Sequence, residues 1–312
     1  MSSEMPLRFV IQDEAGERLD KFLAQRIDAS RTQAQRLIDE GHVLVNDRPE
    51  KASYRLEAGD RLDVQFAPPP PPTLIPENIP LHVVHQDDDL LVIDKPAGLT
   101  VHPAPGHASG TLVNAILALY PELRDPQSSL RPGIVHRLDK DTSGLMVIAK
   151  NAKVQEALAA QFADRSVTKR YLALIEGRLT PQRGLVEAPI GRDAAQRQRM
   201  SVSARGRAAR TGYVVLEYID GCSFVELTLE TGRTHQIRVH MAAIGHPVVG
   251  DRVYGKASAV CPRQFLHSHL LGFHHPRDGR YVEFTSDLPD DLAEALSAIR
   301  RAAHAAPYET PP

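Results

Sequence analysis

Cysteine is scarce in this chain. Cys222 and Cys261 are the only two in 312 residues, too few for a disulfide framework, which points away from secreted scaffolds and toward the reducing cytoplasm. Long apolar runs are also missing. The best of them, Leu112 to Tyr120, is short and carries Asn114, so no segment is expected to cross a bilayer. The first residues, Met-Ser-Ser-Glu-Met-Pro, show neither the basic start nor the apolar stretch of an export signal. No Gly-x-x-x-x-Gly-Lys-Ser/Thr loop is present for phosphates. No nucleophile-elbow sequence supports a hydrolase, and His136, Asp139 and Ser143 sit too close in one loop to converge as a triad. Cys261, His267, His269, His274 and His275 lack the spacing of a tetrahedral zinc framework. No metal is expected. Net charge is small too, at −2, which argues against a global field for coating nucleic acid but leaves room for local clusters.

What the chain does have is ordinary globular composition, with 42% hydrophobic and 24% charged residues, and a length that suggests two domains. Five consecutive prolines, Pro68 to Pro72, mark the division. Each ring fixes φ and lacks an N–H, so the run suits an extended spacer and not a sheet. The expected organisation is a small domain over residues 1–66, a linker over 67–80, a larger domain over 81–303 and a frayed tail over 304–312.

In the first domain Leu19, Phe22, Leu23 and Ile27 recur at helical spacing after a cap near Asp13 or Glu14. Ser30 can cap a second helix that buries Ala34, Leu37 and Ile38 and stops at Gly41. Val43 and Val45 alternate as a strand, Asn46-Asp47 reads as a turn, and Leu62, Val64 and Phe66 close a small β-element. In the larger domain, strands are expected at Leu90–Ile93, Leu145–Ala149, Tyr171–Ile175, Tyr213–Tyr218, Phe224–Leu229 and Gln236–His240. An amphipathic helix should cover Leu112–Leu119, and Asp290 can cap another through Leu292, Leu296 and Ile299. The pattern is α+β with a large mixed or antiparallel sheet.

Chemistry concentrates in three places. Gly133-Ile-Val-His-Arg-Leu-Asp-Lys-Asp-Thr-Ser-Gly144 precedes the apolar run Leu145–Ala149, so its carboxylates Asp139 and Asp141 stand at the edge of a core. Read alone, this loop is equally an ordinary turn, with Gly144 taking an unusual φ. The segment Leu229–His240 holds Arg238; on a strand, Gln236, Arg238 and His240 share one face and Ile237, Val239 and Met241 the other. A fixed guanidinium there can hold a carboxylate ionised and oriented. Tyr171, at the start of an apolar strand, is either a core residue or a platform for a base. Separately, Arg192, Arg197, Arg199, Arg205, Arg207 and Arg210 cluster against one acid, Asp193. They form either a solvated hairpin or a grip on phosphates.

Two resemblances run along the chain. Arg18-Leu-Asp20, Ser30-Arg31, Leu37-Ile-Asp-Glu-Gly41, Val43-Leu-Val-Asn46 and Gly59-Asp60 resemble the alpha-L RNA-binding motif, which would bring Arg31, Gln35 and Arg36 against RNA. Lys95-Pro-Ala-Gly-Leu-Thr-Val-His-Pro103, His136-Arg-Leu-Asp-Lys-Asp-Thr-Ser-Gly144, Tyr171, Thr231-Gly-Arg-Thr-His-Gln-Ile-Arg-Val-His240 and Phe265-Leu-His267 through His275-Pro276 follow in the order of the large-subunit ribosomal RNA pseudouridine synthases, which the second domain resembles. The resemblance implies that Asp139 is the catalytic aspartate, that Tyr171 stacks on the target base and is a candidate participant in loss of the proton at C5, and that Arg238 pairs with Asp139. It further implies that Arg137 enters the RNA stack vacated by the base and that Leu266 packs beneath the base. Arg192, Arg199 and Arg207 are candidates for additional RNA contacts.

The reaction implied breaks the N1–ribose bond, turns the uracil and rejoins it through C5. It involves no redox change, so it calls for no cofactor. The nucleotide must leave its helix at a cost of roughly a few kcal/mol. The expected partner is ribosomal RNA, at the intersubunit stem-loop known as helix 69 of 23S rRNA, and a monomer suffices. An RNA-binding assembly factor without catalysis is the alternative; such a protein has no need of Asp139, Tyr171 and Arg238 together.

Overall fold

The computed structural model describes residues 7–27, 29–64, 74–103, 109–123, 132–193, 195–196 and 199–305. The chain divides into two units, one over residues 1–73 and the other over 74–312. The proline run, Phe66 and Arg197 lie outside the described residues, as does the tail beyond Ala305.

The first unit runs β1 (Leu7–Val10), α1 (Leu19–Arg26), α2 (Arg31–Asp39), β2 (Val43–Val45), β3 (Arg48–Pro49) and β4 (Arg61–Val64). Its antiparallel sheet has the order β1-β4-β2-β3. Asn46 and Asp47 make the β2–β3 turn with φ of 49° and 64°, the double left-handed step that matches hairpin twist. Ser30 caps α2 in a reciprocal box with Gln33. The cap of α1 is Arg18 and not Asp13 or Glu14; Glu14 lies in the preceding turn and pairs with Arg26. Buried Leu19, Leu23, Ala34, Ile38, Val43 and Leu62 form the core between helices and sheet.

Among the described residues of this unit, Asp20 is a polar side chain with no exposure to solvent. Asp20 accepts two hydrogen bonds from Arg18, at 3.0 Å each, one from Arg31 at 3.1 Å and one from Gln35 at 2.8 Å. Arg18 most strongly, with Gln35 and Arg31, holds the Asp20 carboxyl well below the usual carboxylate range despite burial. Because the folded-state pKa is depressed, its stabilisation is complete above the unfolded value of about 3.9 and is lost as pH falls below it. Thermal melts of the full chain should therefore show the first unit weakening between about pH 4 and pH 2. Asp20→Asn should be less stable at neutral pH and show a shallower acid dependence; an unchanged dependence would refute this role.

The second unit continues with β5 (His82–Gln86), β6 (Leu90–Lys95), α3 (Leu112–Leu119), β7 (Ser143–Ala149), α4 (Ala152–Asp164), β8 (Thr168–Glu176) and β9 (Arg183–Glu187). Then come β10 (Ile190–Arg192), β11 (Met200–Val202), β12 (Arg210–Ile219), β13 (Cys222–Leu229), α5 (Gln236–Ala243), β14 (Leu266–His274), β15 (Tyr281–Thr285) and α6 (Asp290–Ala305). Nine strands form one sheet in the order β5-β6-β7-β14-β8-β13-β12-β9, with β15 pairing on β14. Only β14–β7 is parallel, so the sheet is mixed. Strands β10 and β11 make a separate two-stranded hairpin.

Several elements differ from the sequence pattern for physical reasons. Gln236–His240 is the start of a helix and not a strand. Six consecutive residues from Gln236 to Met241 are buried, so a helix covered on all sides hides its own period and its β-branched residues imitate alternation. Helix α3 is not amphipathic; Leu112 through Leu117 are all buried. Residues 74–80, placed in the linker by composition, are fastened to α3, because Asn114 donates to the Ile75 carbonyl and accepts from Thr111. Helix α6 begins at Asp290, with the Pro289 carbonyl receiving the first amides. Among the described residues no helix is long and apolar enough to cross a membrane.

Candidate active site

The central strands β7, β14 and β8 carry the candidate residues to one place. Asp139 lies in the loop that feeds β7, Leu266 opens β14, and Tyr171 lies in β8. The register pairs Leu266 with Ala173 and Ser268 with Tyr171, so Leu266 and Tyr171 emerge on the same sheet face. Gly144 permits the parallel junction: its φ is 116°, and a Cβ there would sit 2.3 Å from the Ser268 carbonyl. The loop before β7 is pinned by the buried Lys95, whose Nζ donates to the carbonyls of Pro96, Leu99 and Lys140 at 2.7–3.1 Å. Burial pulls the Lys95 ammonium down to about 7, against the opposing fields of Asp141 and Asp139. Arg263 adds a second tie, donating to the Asp141 carbonyl and the Ser143 hydroxyl while paired with Asp291.

Arg238 arrives from α5, which Gln236 and His240 fasten to β12 through the Arg210 carbonyl and Thr211. Its Nη1 donates to Asp139 Oδ2 at 3.0 Å. Its Nε and Nη2 form a fork on Asp251, at 2.6 and 2.9 Å. Burial works against the guanidinium charge, but the Asp251 hydrogen bonds and the Asp139 field hold it protonated. The same fork keeps Asp251 below its ordinary value although burial works to raise it. Asp139 Oδ1 has no hydrogen-bond partner among the described residues.

These groups line a cleft of about 370 Å³ with Tyr171, Leu266, Arg137 and His235 on its walls, a volume within the range of small-ligand sites. Arg137 is exposed, whereas Tyr171 and Leu266 are buried. Burial pushes the Tyr171 phenol up to about 12, with the Ser268 hydrogen bond opposing and Asp139 adding to the rise. The neutral phenol is thus favoured, and the ring presents an apolar face to the cleft. His136 is no acid or base here: its Nε2 accepts the Val147 amide, it stacks on Phe162, and burial drives it down to about 3.

The arginine segment is partly brought to this place. A second hollow, lined by Arg192, Arg205, Arg207 and Arg233, shares Gly232, Arg233 and Thr234 with the cleft. Arg199 instead lies over the Tyr254 ring at 5.0 Å, and Arg210 pairs with Glu230 and Glu187. In the first unit, Arg31 and Gln35 are gathered by Asp20 and Arg36 pairs with Glu40. Asp87, Asp89 and His275 lie near enough to share an ion, but Asp87 already accepts from His85 and His275, and Asp89 pairs with Arg277.

Sequence reasoning missed Asp251, Tyr254, His235 and Lys95 as parts of the site. For Asp251 the available signal was its place in Gly250-Asp-Arg-Val-Tyr-Gly255, but an Asp there reads as a turn residue, and it does accept the amides of Val253 and Tyr254. Removing it should have a large effect on stability. Asp251→Ala leaves a buried guanidinium half-paired, and urea unfolding should show a loss of about 3–5 kcal/mol. A loss below about 1 kcal/mol would mean that Asp251 is not what anchors Arg238.

Residues 89–243 match the family described as RNA pseudouridylate synthase, and residues 17–62 match the S4 domain. An uncharacterised RNA pseudouridine synthase of Bacillus subtilis is 45% identical over 292 residues, covering 93% of this chain and 96% of its own. The ribosomal large subunit pseudouridine synthase D of Nitrosomonas europaea is 43% identical over 314 residues, covering 97% and 90%. Among solved structures, human RNA pseudouridylate synthase domain containing 1 aligns with a TM-score of 0.56 at 29% identity, over 74% of this chain and 97% of its own. Such identity along nearly the whole of both chains, on a sheet that gathers a carboxylate, an arginine and a tyrosine in one cleft, defines the molecule's kind: this chain belongs to the RNA pseudouridine synthases, isomerases of uridine in RNA, and carries an S4 RNA-binding domain ahead of the catalytic one.

Proposed function

We propose that this enzyme modifies uridines of large-subunit ribosomal RNA, in the helix 69 stem-loop of 23S rRNA, with Asp139 as its catalytic carboxylate. The observation that carries the catalytic assignment is the 3.0 Å hydrogen bond from Arg238 Nη1 to Asp139 Oδ2 at the cleft. One carboxylate oxygen is held and the other is left for the nucleotide. The ribosomal RNA assignment rests on the relatives named ribosomal large subunit pseudouridine synthase D.

Each residue type suits its step. The glycosidic N1–C1′ bond breaks, the C5–C1′ bond forms, and the proton lost from C5 is matched by one gained at N1. Asp139, oriented by Arg238, meets the ribose or base of a flipped uridine. Tyr171 supplies the stacking face and Leu266 the apolar floor. Arg137, exposed at the rim, enters the gap the base leaves in the RNA stack. Outside the cleft, Arg192, Arg199 and Arg207 take phosphates near the target. In the S4 domain Arg31, Gln35 and Arg36 do the same, with Asp20 pre-setting the first two so that less side-chain freedom is lost on binding.

Asp139→Asn preserves shape and should keep RNA affinity while abolishing tritium release from RNA labelled at uridine C5; normal release would refute the assignment. A pseudouridine map of ribosomal RNA from cells lacking the protein should lose its helix 69 signals. Retention there with losses elsewhere would move the target. Replacing Arg192, Arg199 and Arg207 by Gln should lower the slope of log affinity against log salt by about one for every phosphate no longer neutralised. An unchanged slope would remove the hairpin from the RNA-binding surface.

A further inference from the structure

One residue on the cleft wall has a backbone that its local role does not explain. His235 precedes α5 with φ 56° and ψ 21°, the left-handed region, and its side chain makes no capping bond to the helix. A non-glycine residue is uncommon there and persists where its surroundings fix it. What fixes it is Tyr254. His235 Nδ1 lies 2.8 Å from the Tyr254 hydroxyl, and the two rings meet edge to face with centroids 5.6 Å apart.

A third partner shares this hydroxyl and leaves its proton available. The Met200 amide, on β11, lies 2.9 Å from the same hydroxyl and can only donate. The hydroxyl oxygen therefore accepts from Met200, and its own proton is free to go to His235 Nδ1. Burial keeps the imidazole on the neutral side of its ordinary range, aided by Arg238 and Arg137 and opposed by Asp139 and Asp251. A neutral ring that accepts at Nδ1 carries its proton on Nε2. That Nε2 lies 3.9 Å from Asp139 Oδ2, beyond hydrogen-bond reach but closed by a shift of about 1 Å, as free sites often tighten on binding.

Tyr254 is itself held by two guanidinium groups. Arg199 and Arg238 lie over its ring, with guanidinium carbons 5.0 and 5.1 Å from the centroid. Its backbone amide donates to Asp251. We propose that Tyr254 and His235 form a positioning relay for Asp139, running from the Met200 amide of the arginine hairpin through the tyrosine hydroxyl to the imidazole Nε2–H that faces the carboxylate. The inference rests on Asp139 being the catalytic carboxylate.

The test uses the full chain and a 23S rRNA fragment labelled at uridine C5, with single-turnover tritium release and RNA affinity measured separately. His235→Ala and Tyr254→Phe should each slow release about ten- to a hundredfold, the range expected when a reacting group is misplaced by about 1 Å. RNA affinity should stay within about twofold. His235→Gln, whose amide N–H reaches in the same direction, should recover most of the rate. The double variant His235→Ala with Tyr254→Phe should be no slower than the slower single variant, because the two act as one unit. Tyr254→Phe keeps the ring and its cation contacts, so it separates loss of the hydroxyl from loss of packing.

Full-speed release by either single variant overturns the relay. So does a fall in affinity that accounts for the whole rate loss, additive losses in the double variant, or failure of Gln to rescue. Asp139→Asn is the control. If it is inactive while His235→Ala runs at full speed, the relay alone is wrong; if it stays active, the catalytic assignment falls and the relay with it.

Discussion

Arg238 holds Asp251 with two of its nitrogens and Asp139 with the third, and almost none of this guanidinium reaches solvent. A lone buried guanidinium would be costly, and a lone carboxylate in the cleft would be free to rotate. Together they solve each other's problem. Asp251 satisfies most of the arginine, so the remaining arm can orient Asp139 without consuming both of its oxygens. Asp251 also takes the amides of Val253 and Tyr254, so the carboxylate that anchors Arg238 sets the turn that brings Tyr254 against His235. The cleft is thus built around an ion pair with a third member, and its charged side chains have little freedom left to lose when RNA enters.

The sheet supplies the rest of the precision. Asp139 is delivered by a loop, the element least suited to hold a side chain still. Three ties compensate: Lys95 at the Lys140 carbonyl, Arg263 at the Asp141 carbonyl, and the tight β7–β14 junction at Gly144. All three flank Asp139 and leave its carboxylate to Arg238. Tyr171 and Leu266 need no such help, because the register of adjacent strands already sets them on a common face.

Much of this is readable from residues, and the exceptions have causes. A dense polar loop before an apolar strand draws the eye to Asp139, but read alone it is equally a turn, and its pairing with Arg238 is implied only by the resemblance. The strands from Leu90 to Leu229 stand out by their apolar character. Helix α5 does not, since burial of Gln236 through Met241 erases the polar face that announces a helix. Sequence reasoning thus gives Arg238 the right partner from the wrong element. Asp251 is hidden for the opposite reason: Gly-Asp-Arg-Val-Tyr-Gly looks like a turn because it is one, and nothing local marks the second task of the carboxylate. His235 lies inside a motif already noted, but a left-handed backbone at a histidine leaves no trace in composition.

The near-neutral charge of an RNA enzyme also becomes intelligible in these terms. A protein gripping phosphates through a diffuse field needs a basic excess, whereas one that presents a few fixed arginines needs acids to fix them. Asp20 gathers Arg18, Arg31 and Gln35; Asp251 holds Arg238; Glu187 and Glu230 flank Arg210. Each acid subtracts from net charge while restricting the conformational freedom of its arginine. The arginines around the second hollow, Arg192, Arg205 and Arg207, are exposed and make no ion pair among the described residues. The acids are thus concentrated where arginines are held in place, and the unpaired charge lies at the exposed hollow beside the cleft.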